Sequence, residues 1–404
     1  MDGSPDARRR RLLRALGVGV LGGLAGCTDT GDTDAEDQPG DGSSGGGAGE
    51  GGEEPLAEDD GAAGSETTDW PTYRADPANT GHRPDASGPE DPGIAWTAET
   101  GDSIYASPTV FDGVVYVGSY DDRLYALGTE SGEETWAFEA GGNVFSSVAV
   151  AGEFAYVGSF DDGVHAIDLS DGTEAERLET GGPVGSSPAI VDGTLYVGCD
   201  DGSVYARGNS EWGAETGAEV VASPAVSGGT VFVGSFDEVF YALDAATGEE
   251  LWTVEGAGEF EGPAAVSEGT VFVGDRGGVF YALEAETGEE RWRLETGDWT
   301  GSGPAIANDT VYTANRDGNV YALDAATGEE RWRFRTGGEV WSSPTVAGDR
   351  VYVANRAGSV YALDAAEGTN QWSRSIGEVV FSSPAVVGGT LYVGSTDGSL
   401  YALR

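Results

Sequence analysis

Residues 223–255 read SPAVSGGTVFVGSFDEVFYALDAATGEELWTVE. Short runs rich in β-branched and aromatic residues (AVS, TVFVG, VFYAL and ELWTV) alternate with clusters of Gly, Asp, Ser and Thr. Each run suits a strand and is too short for a helix, and the clusters supply turn residues. The stretch therefore reads as four short antiparallel strands. Its last turn, Asp244-Ala245-Ala246-Thr247-Gly248-Glu249, has local physics of its own: Asp and Thr oxygens accept from nearby backbone amides, and Gly supplies a positive φ.

The pattern recurs along the chain. Aligned on the YAL tripeptide, Tyr125, His165, Tyr205, Tyr241, Tyr281, Tyr321, Tyr361 and Tyr401 fall in register at steps of 40 residues, with one step of 36. Eight copies fill residues 94–404. A lone sheet of this size cannot cover both of its faces, whereas copies packed around an axis cover one another. The expected fold is all-β, an eight-bladed β-propeller of four-stranded antiparallel blades. The last copy runs to its third strand, Tyr401-Ala402-Leu403-Arg404, while a fourth-strand sequence, Ile94-Ala95-Trp96-Thr97, precedes the first copy. Residues 94–98 are thus expected to complete blade eight, which closes the ring and hides the edges that an open sheet would expose.

One indole recurs in nearly every copy, at Trp96, Trp136, Trp212, Trp252, Trp292, Trp332 and Trp372. Its large apolar area and single N–H suit a structural spacer docked between neighbouring sheets. Three copies depart from the pattern. The first has Gly128 in the Asp slot of the turn, the second has Glu176 in the Trp slot, and the third lacks the DxxTG turn. Looser packing is expected near blades two and three.

The chain carries 70 acidic and 21 basic residues, none of them Lys, for a formal charge of -49. At ordinary ionic strength this charge would repel itself; at molar salt the Debye length falls to about 3 Å and the repulsion is screened. The composition reads as that of a halophilic, archaeal protein and argues against nucleic acid or anionic lipid as partners.

Residues 1–27 read as an export signal. Arg9, Arg10, Leu12 and Leu13 fit a twin-arginine motif, Ala15 to Ala25 is a short uncharged apolar run, and Leu24-Ala25-Gly26-Cys27 resembles a lipobox whose Cys27 becomes acylated. Residues 28–69 are Gly, Asp, Glu, Ser and Ala with hardly an apolar side chain, and are expected to form a disordered linker reaching roughly 35 Å. Residues 70–93 form a lead-in to the ring. The second cysteine, Cys199, occupies a slot filled by Ser119 and Ser159 in other copies and reads as a small strand residue.

The motif A-x-D-x-x-T-G-E-x-x-W, at Ala242 to Trp252 and Ala322 to Trp332, resembles the tryptophan-docking repeat of the pyrroloquinoline-quinone (PQQ) propellers. Ala282 to Trp292 matches it with Glu284 in the Asp slot, and Trp70-Pro71-Thr72-Tyr73-Arg74 with Asp76, Thr80 and Gly81 is similar to that family's segment before the ring. The resemblance implies either a quinoprotein dehydrogenase, with PQQ and calcium on the axis, or a non-enzymatic propeller of the BamB type. The dehydrogenases carry a vicinal cysteine pair, long insertions bearing a Glu/Asn/Asp calcium set and, in some, a CxxCH haem site, and this sequence has none of these. His82 and His165 are the only imidazoles, and pairs such as Asp121-Asp122, Asp161-Asp162 and Asp200-Asp201 recur in one turn, as turn residues would. No catalytic residue, metal site or cofactor is expected.

Function is sought in what varies between copies, because packing dictates what repeats. Three residues before the proline slot the copies carry Tyr105, Phe145, Gly185, Val221, Glu261, Gly301, Trp341 and Phe381. In the turn after the second strand, copies five to seven carry Arg276, Arg316 and Arg356, where the others have Tyr120, Phe160, Asp200, Phe236 and Thr396. Both slots lie at the same end of the strands. An arc of four aromatics (Tyr105, Phe145, Trp341, Phe381) beside an arc of three arginines is therefore expected on one rim, a candidate site for a peptide, a polypeptide segment or an acidic ligand. The alternative is that the aromatics fill the channel mouth and the arginines pair with neighbouring aspartates. The expected protein is a monomeric, surface-anchored scaffold that binds a protein or peptide partner at the membrane through this rim, held by a lipid on Cys27.

Overall fold

A computed structural model describes residues 69–404, and every regular element among them is a β-strand. The expected signal over 1–27, its Cys27, and all but the last residue of the linker over 28–69 lie outside the described residues. The strands form eight sheets, each ordered from an inner strand on the axis to an outer strand. Blades one to seven span 109–139, 149–179, 189–215, 225–255, 265–295, 305–335 and 345–375. Blade eight takes Ala385–Val387, Thr390–Gly394 and Ser399–Leu403 from one end of the repeat array and Ile94–Glu99 from the other. Trp96 pairs with Ala402 and Thr97 with Tyr401, so the ring closes as expected, with a strand one residue longer than 94–98.

The second and third strands of each blade are largely buried and carry the cores between blades, with Phe232 and Phe240 in the cluster between blades four and five and Phe272 and Phe280 in the cluster between blades five and six. At the outer edge each tryptophan docks on the next blade. Trp252 Nε1 donates to Ala285 O at 3.0 Å, and Trp292 and Trp332 donate to Ala325 O and Ala365 O at 2.9 Å each. The indole lies on the turn glycine of that next blade: a Cβ on Gly288 (φ +73°) would stand 2.7 Å from the Trp252 ring. Trp372, at the seam with blade eight, finds its acceptor in Pro89 O of the lead-in at 2.8 Å.

The lead-in also fills one end of the channel. Trp70 bridges Val110 of blade one, and the carbonyls of Pro71, Pro77, Ala78, Thr80 and Gly81 accept from Val150, Val226, Val266, Ile306 and Val346. His82–Arg83 then adds a parallel strand inside blade seven. Arg74, 2% exposed, donates to Pro344 O at 2.5 Å and Pro304 O at 2.7 Å, and burial lowers its pKa to about 10. These bonds satisfy inner-strand amides that would otherwise face an empty axis. Asp69 accepts from the Asp112 amide, in a turn that follows the inner strand, so the chain enters the channel at the end away from the loops that precede the inner strands.

The apolar layer between blades two and three is as closed as elsewhere, with Phe154, Tyr156, Val164, Leu195 and Val197 at most 1% exposed. The expected looseness is confined to polar groups at the outer edge, where Tyr156 Oη is buried without a partner.

Candidate functional site

The loops that precede the inner strands surround a bowl of about 410 Å³ at the mouth of the channel. Its floor is Tyr73 of the lead-in and a girdle of serines. In the girdle each serine hydroxyl accepts from the backbone N–H of the preceding blade. Ser107 N–H reaches Ser147 Oγ at 2.9 Å, and the relay continues from Ser147 to Ser187 and from Ser187 to Ser223. It resumes from Gly303 to Ser343, Ser343 to Ser383 and Ser383 to Ser107. Blade five interrupts it, because Pro263 has neither an N–H nor a hydroxyl.

Above the girdle stands the rim. The seven residues picked from sequence all sit there, but not as two separate arcs, because the arginines interleave with aromatics. Arg276 stacks 4.5 Å from the rings of Phe236 and Trp299, Arg316 lies 4.5 Å from Trp299 and Trp341, and Arg356 lies 5.5 Å from Trp341 and Phe381. From Phe381 the belt continues through Tyr105 (5.1 Å) to Phe145 (5.8 Å) and Phe160 (6.3 Å), with Tyr120 packed 4.5 Å from Tyr105. Flat guanidinium groups shed water more readily than ammonium groups and stack on π faces, which suits a chain without lysine.

The arginines do pair with neighbouring carboxylates, as in the alternative reading, but with glutamates rather than aspartates. Arg276 binds Glu259 and, at 3.0 Å, Glu261; Arg316 and Arg356 share Glu339 at 3.6 and 2.8 Å, and Trp341 Nε1 also donates to Glu339 at 3.1 Å. Burial raises the Glu261 carboxyl above its ordinary value despite the Arg276 pair, whereas hydrogen bonds from Arg356 and Trp341 hold Glu339 below its own. Phe145 and Phe160 stay open to solvent, at 39% and 37% exposed.

Trp299 was not singled out in the sequence, yet it joins two of the arginines. The available signal was a tryptophan outside the forty-residue docking register, in a slot held by Glu259 and Glu339 in the flanking copies.

Other polar candidates prove structural. Asp121, Asp201, Asp237, Asp317 and Asp397 accept from the tyrosine hydroxyl four residues on, at 2.5 to 2.7 Å. His165 takes the tyrosine slot in blade two, between Glu174 at 2.7 Å and Asp161 at 3.1 Å. Cys199 is buried and its thiol is pushed up to about 11. Among the described residues no three His, Cys, Asp or Glu side chains gather as metal ligands, and the axis beneath the bowl holds the lead-in.

The family profile described as "Outer membrane protein assembly factor BamB" matches residues 86–210, 164–261, 257–300 and 296–404. No curated protein matches in sequence. Among solved structures, BamB from Moraxella catarrhalis aligns with a TM-score of 0.67 at 18% identity, over 78% of this chain and 99% of its own. The quinohemoprotein alcohol dehydrogenase from Comamonas testosteroni aligns at 0.70 and 16% identity, over 84% and 81%. A europium-containing methanol dehydrogenase aligns at 0.70 and 13%, over 83% and 98%. At these identities the likeness is one of fold, and the fold serves binders and enzymes alike.

Proposed function

The chain belongs to the family of the outer membrane protein assembly factor BamB, and from that premise we propose that it is a non-catalytic scaffold whose bowl takes a polypeptide segment of a partner protein. The observation that carries this reading is the aromatic–arginine belt around a bowl closed below by the lead-in. Rigid aromatic and arginine side chains held in place before a partner arrives lose little entropy on binding, and two phenylalanine faces remain to be covered. The acidic, lysine-free composition favours work at high salt.

A photo-crosslinking residue placed at Phe145, compared with one at the exposed outer-strand Leu251, tests the reading in membranes at molar salt. Protein adducts specific to Phe145 are expected; equal labelling from both positions would reject it. The quinoprotein reading is tested by titrating the protein with PQQ and calcium, and a stoichiometric absorbance shift would replace the scaffold with an enzyme.

A further inference from the structure

The belt has one interruption, at blade three. Between Phe160 of blade two and Phe236 of blade four the two rim slots hold Gly185 and Asp200. Gly185 leaves the neighbouring rings uncovered: a Cβ there would approach Phe160 to 3.3 Å and Phe145 to 3.7 Å. The Phe145 and Phe160 rings are themselves stacked, 6.3 Å apart. Asp200 follows Phe160 in the same slot of the next blade, and its buried Oδ1 has no hydrogen-bond partner. Burial, with the Glu219 and Asp201 carboxylates nearby, pushes Asp200 above the usual carboxylate range, and among the described residues no arginine forms an ion pair with it.

Blades four to six show how this rim accommodates a guanidinium. Arg276 lies over Phe236 and Trp299 while Glu259 and Glu261 bind its nitrogens. The blade-three gap presents the same components, phenylalanine faces beside carboxylates, without a guanidinium among them. The three rim arginines already have carboxylate partners and are outnumbered by Asp200, Glu219, Glu259, Glu261 and Glu339. An acidic ligand would therefore meet net repulsion at the rim, whereas a cation gains an ion pair and a π face together.

We propose that the gap formed by Phe145, Phe160, Gly185 and Asp200 receives an arginine or lysine side chain of the bound segment, with arginine preferred because its flat group stacks as Arg276 does. This rests on the bowl being a polypeptide site and specifies the chemistry of the segment. Contact ion pairs and stacking act within a few ångströms, so the preference persists where molar salt has screened longer-range attraction.

The test is saturation-transfer NMR on the purified protein in molar KCl, with N-acetyl-arginine methylamide and N-acetyl-glutamate methylamide as probes. The arginine probe is expected to receive saturation, and the glutamate probe to receive far less. Asp200→Asn should weaken the arginine probe about tenfold, as expected for loss of one charge-assisted pair. Glu286→Gln, an exposed change on the outer turn of blade five, should leave it unchanged and so control for overall charge. A glutamate probe that binds as well as arginine, an arginine probe that does not bind, or equal binding to wild type and Asp200→Asn would each overturn the proposal. Adducts from Phe145 in the crosslinking experiment would still stand in those cases, which separates failure of this inference from failure of the scaffold reading.

Discussion

The seam between blades four and five and the seam between blades two and three are built from the same repeat, and they close in different ways. At the first, Trp252 donates to Ala285 O and rests on Gly288. At the second, Glu176 stands in the tryptophan slot and blade three has lost the turn on which an indole would rest; its fourth strand is only Trp212–Glu215. The two sequence departures, which lie in different copies, thus meet in space. Indole and turn form one unit: without the turn an indole would lose both its acceptor and its platform. The apolar layer beneath is intact, and the remaining cost is the Tyr156 hydroxyl, buried without a partner where Tyr196 donates to Ala245 O at 3.0 Å.

The comparison can be broken most forcefully at the docked seam. Trp252→Ala removes a half-buried indole and its hydrogen bond, and should cost about 2–4 kcal/mol in denaturant unfolding. A loss no larger than that of an exposed outer-strand substitution would mean that docking does not hold the ring. Gly288→Ala places a Cβ at φ +73° against the Trp252 ring; roughly 1–3 kcal/mol is expected, whereas a change within experimental error would show that the indole can retreat. Next come two matched deletions of a hydroxyl. Tyr196→Phe should cost about 1 kcal/mol, while Tyr156→Phe should be neutral or stabilising because it removes a buried group that has no partner. Equal costs at the two sites would mean that the bare seam is satisfied by water.

The smallest effect concerns acid. In blade two the usual tyrosine–aspartate bond is replaced by His165 held between Asp161 and Glu174. Burial alone would raise Asp161, but the His165 charge and the Gly141 amide outweigh it and leave the carboxyl below its ordinary 3.8. A depressed carboxylate contributes stability above its unfolded value, and that contribution is lost as pH falls through the lower folded value. Asp161→Asn should therefore flatten the stability profile below about pH 4, and an unchanged profile would place the acid sensitivity elsewhere.

Much of the candidate site was readable from variation between copies. The slots of Tyr105, Phe145, Trp341 and Phe381 and of Arg276, Arg316 and Arg356 differ where the packing slots repeat, and all seven reached one rim. Their interleaving was not readable, because it depends on which slots of neighbouring blades face each other across the mouth. Trp299 was hidden for the same reason. The glutamate partners lie in loops whose acidic residues look like solvated surface in a chain of charge -49.

The sequence by itself determined the number of blades, the strand exchange that closes the ring and the docking role of the tryptophans, because period and alternation are local properties that survive in one dimension. Only the tertiary structure decided that the lead-in threads the channel, that the Glu176 and missing-turn departures share a seam, and that the arginines alternate with indoles. These are contacts between residues tens to hundreds of positions apart, set by the curvature of the closed ring.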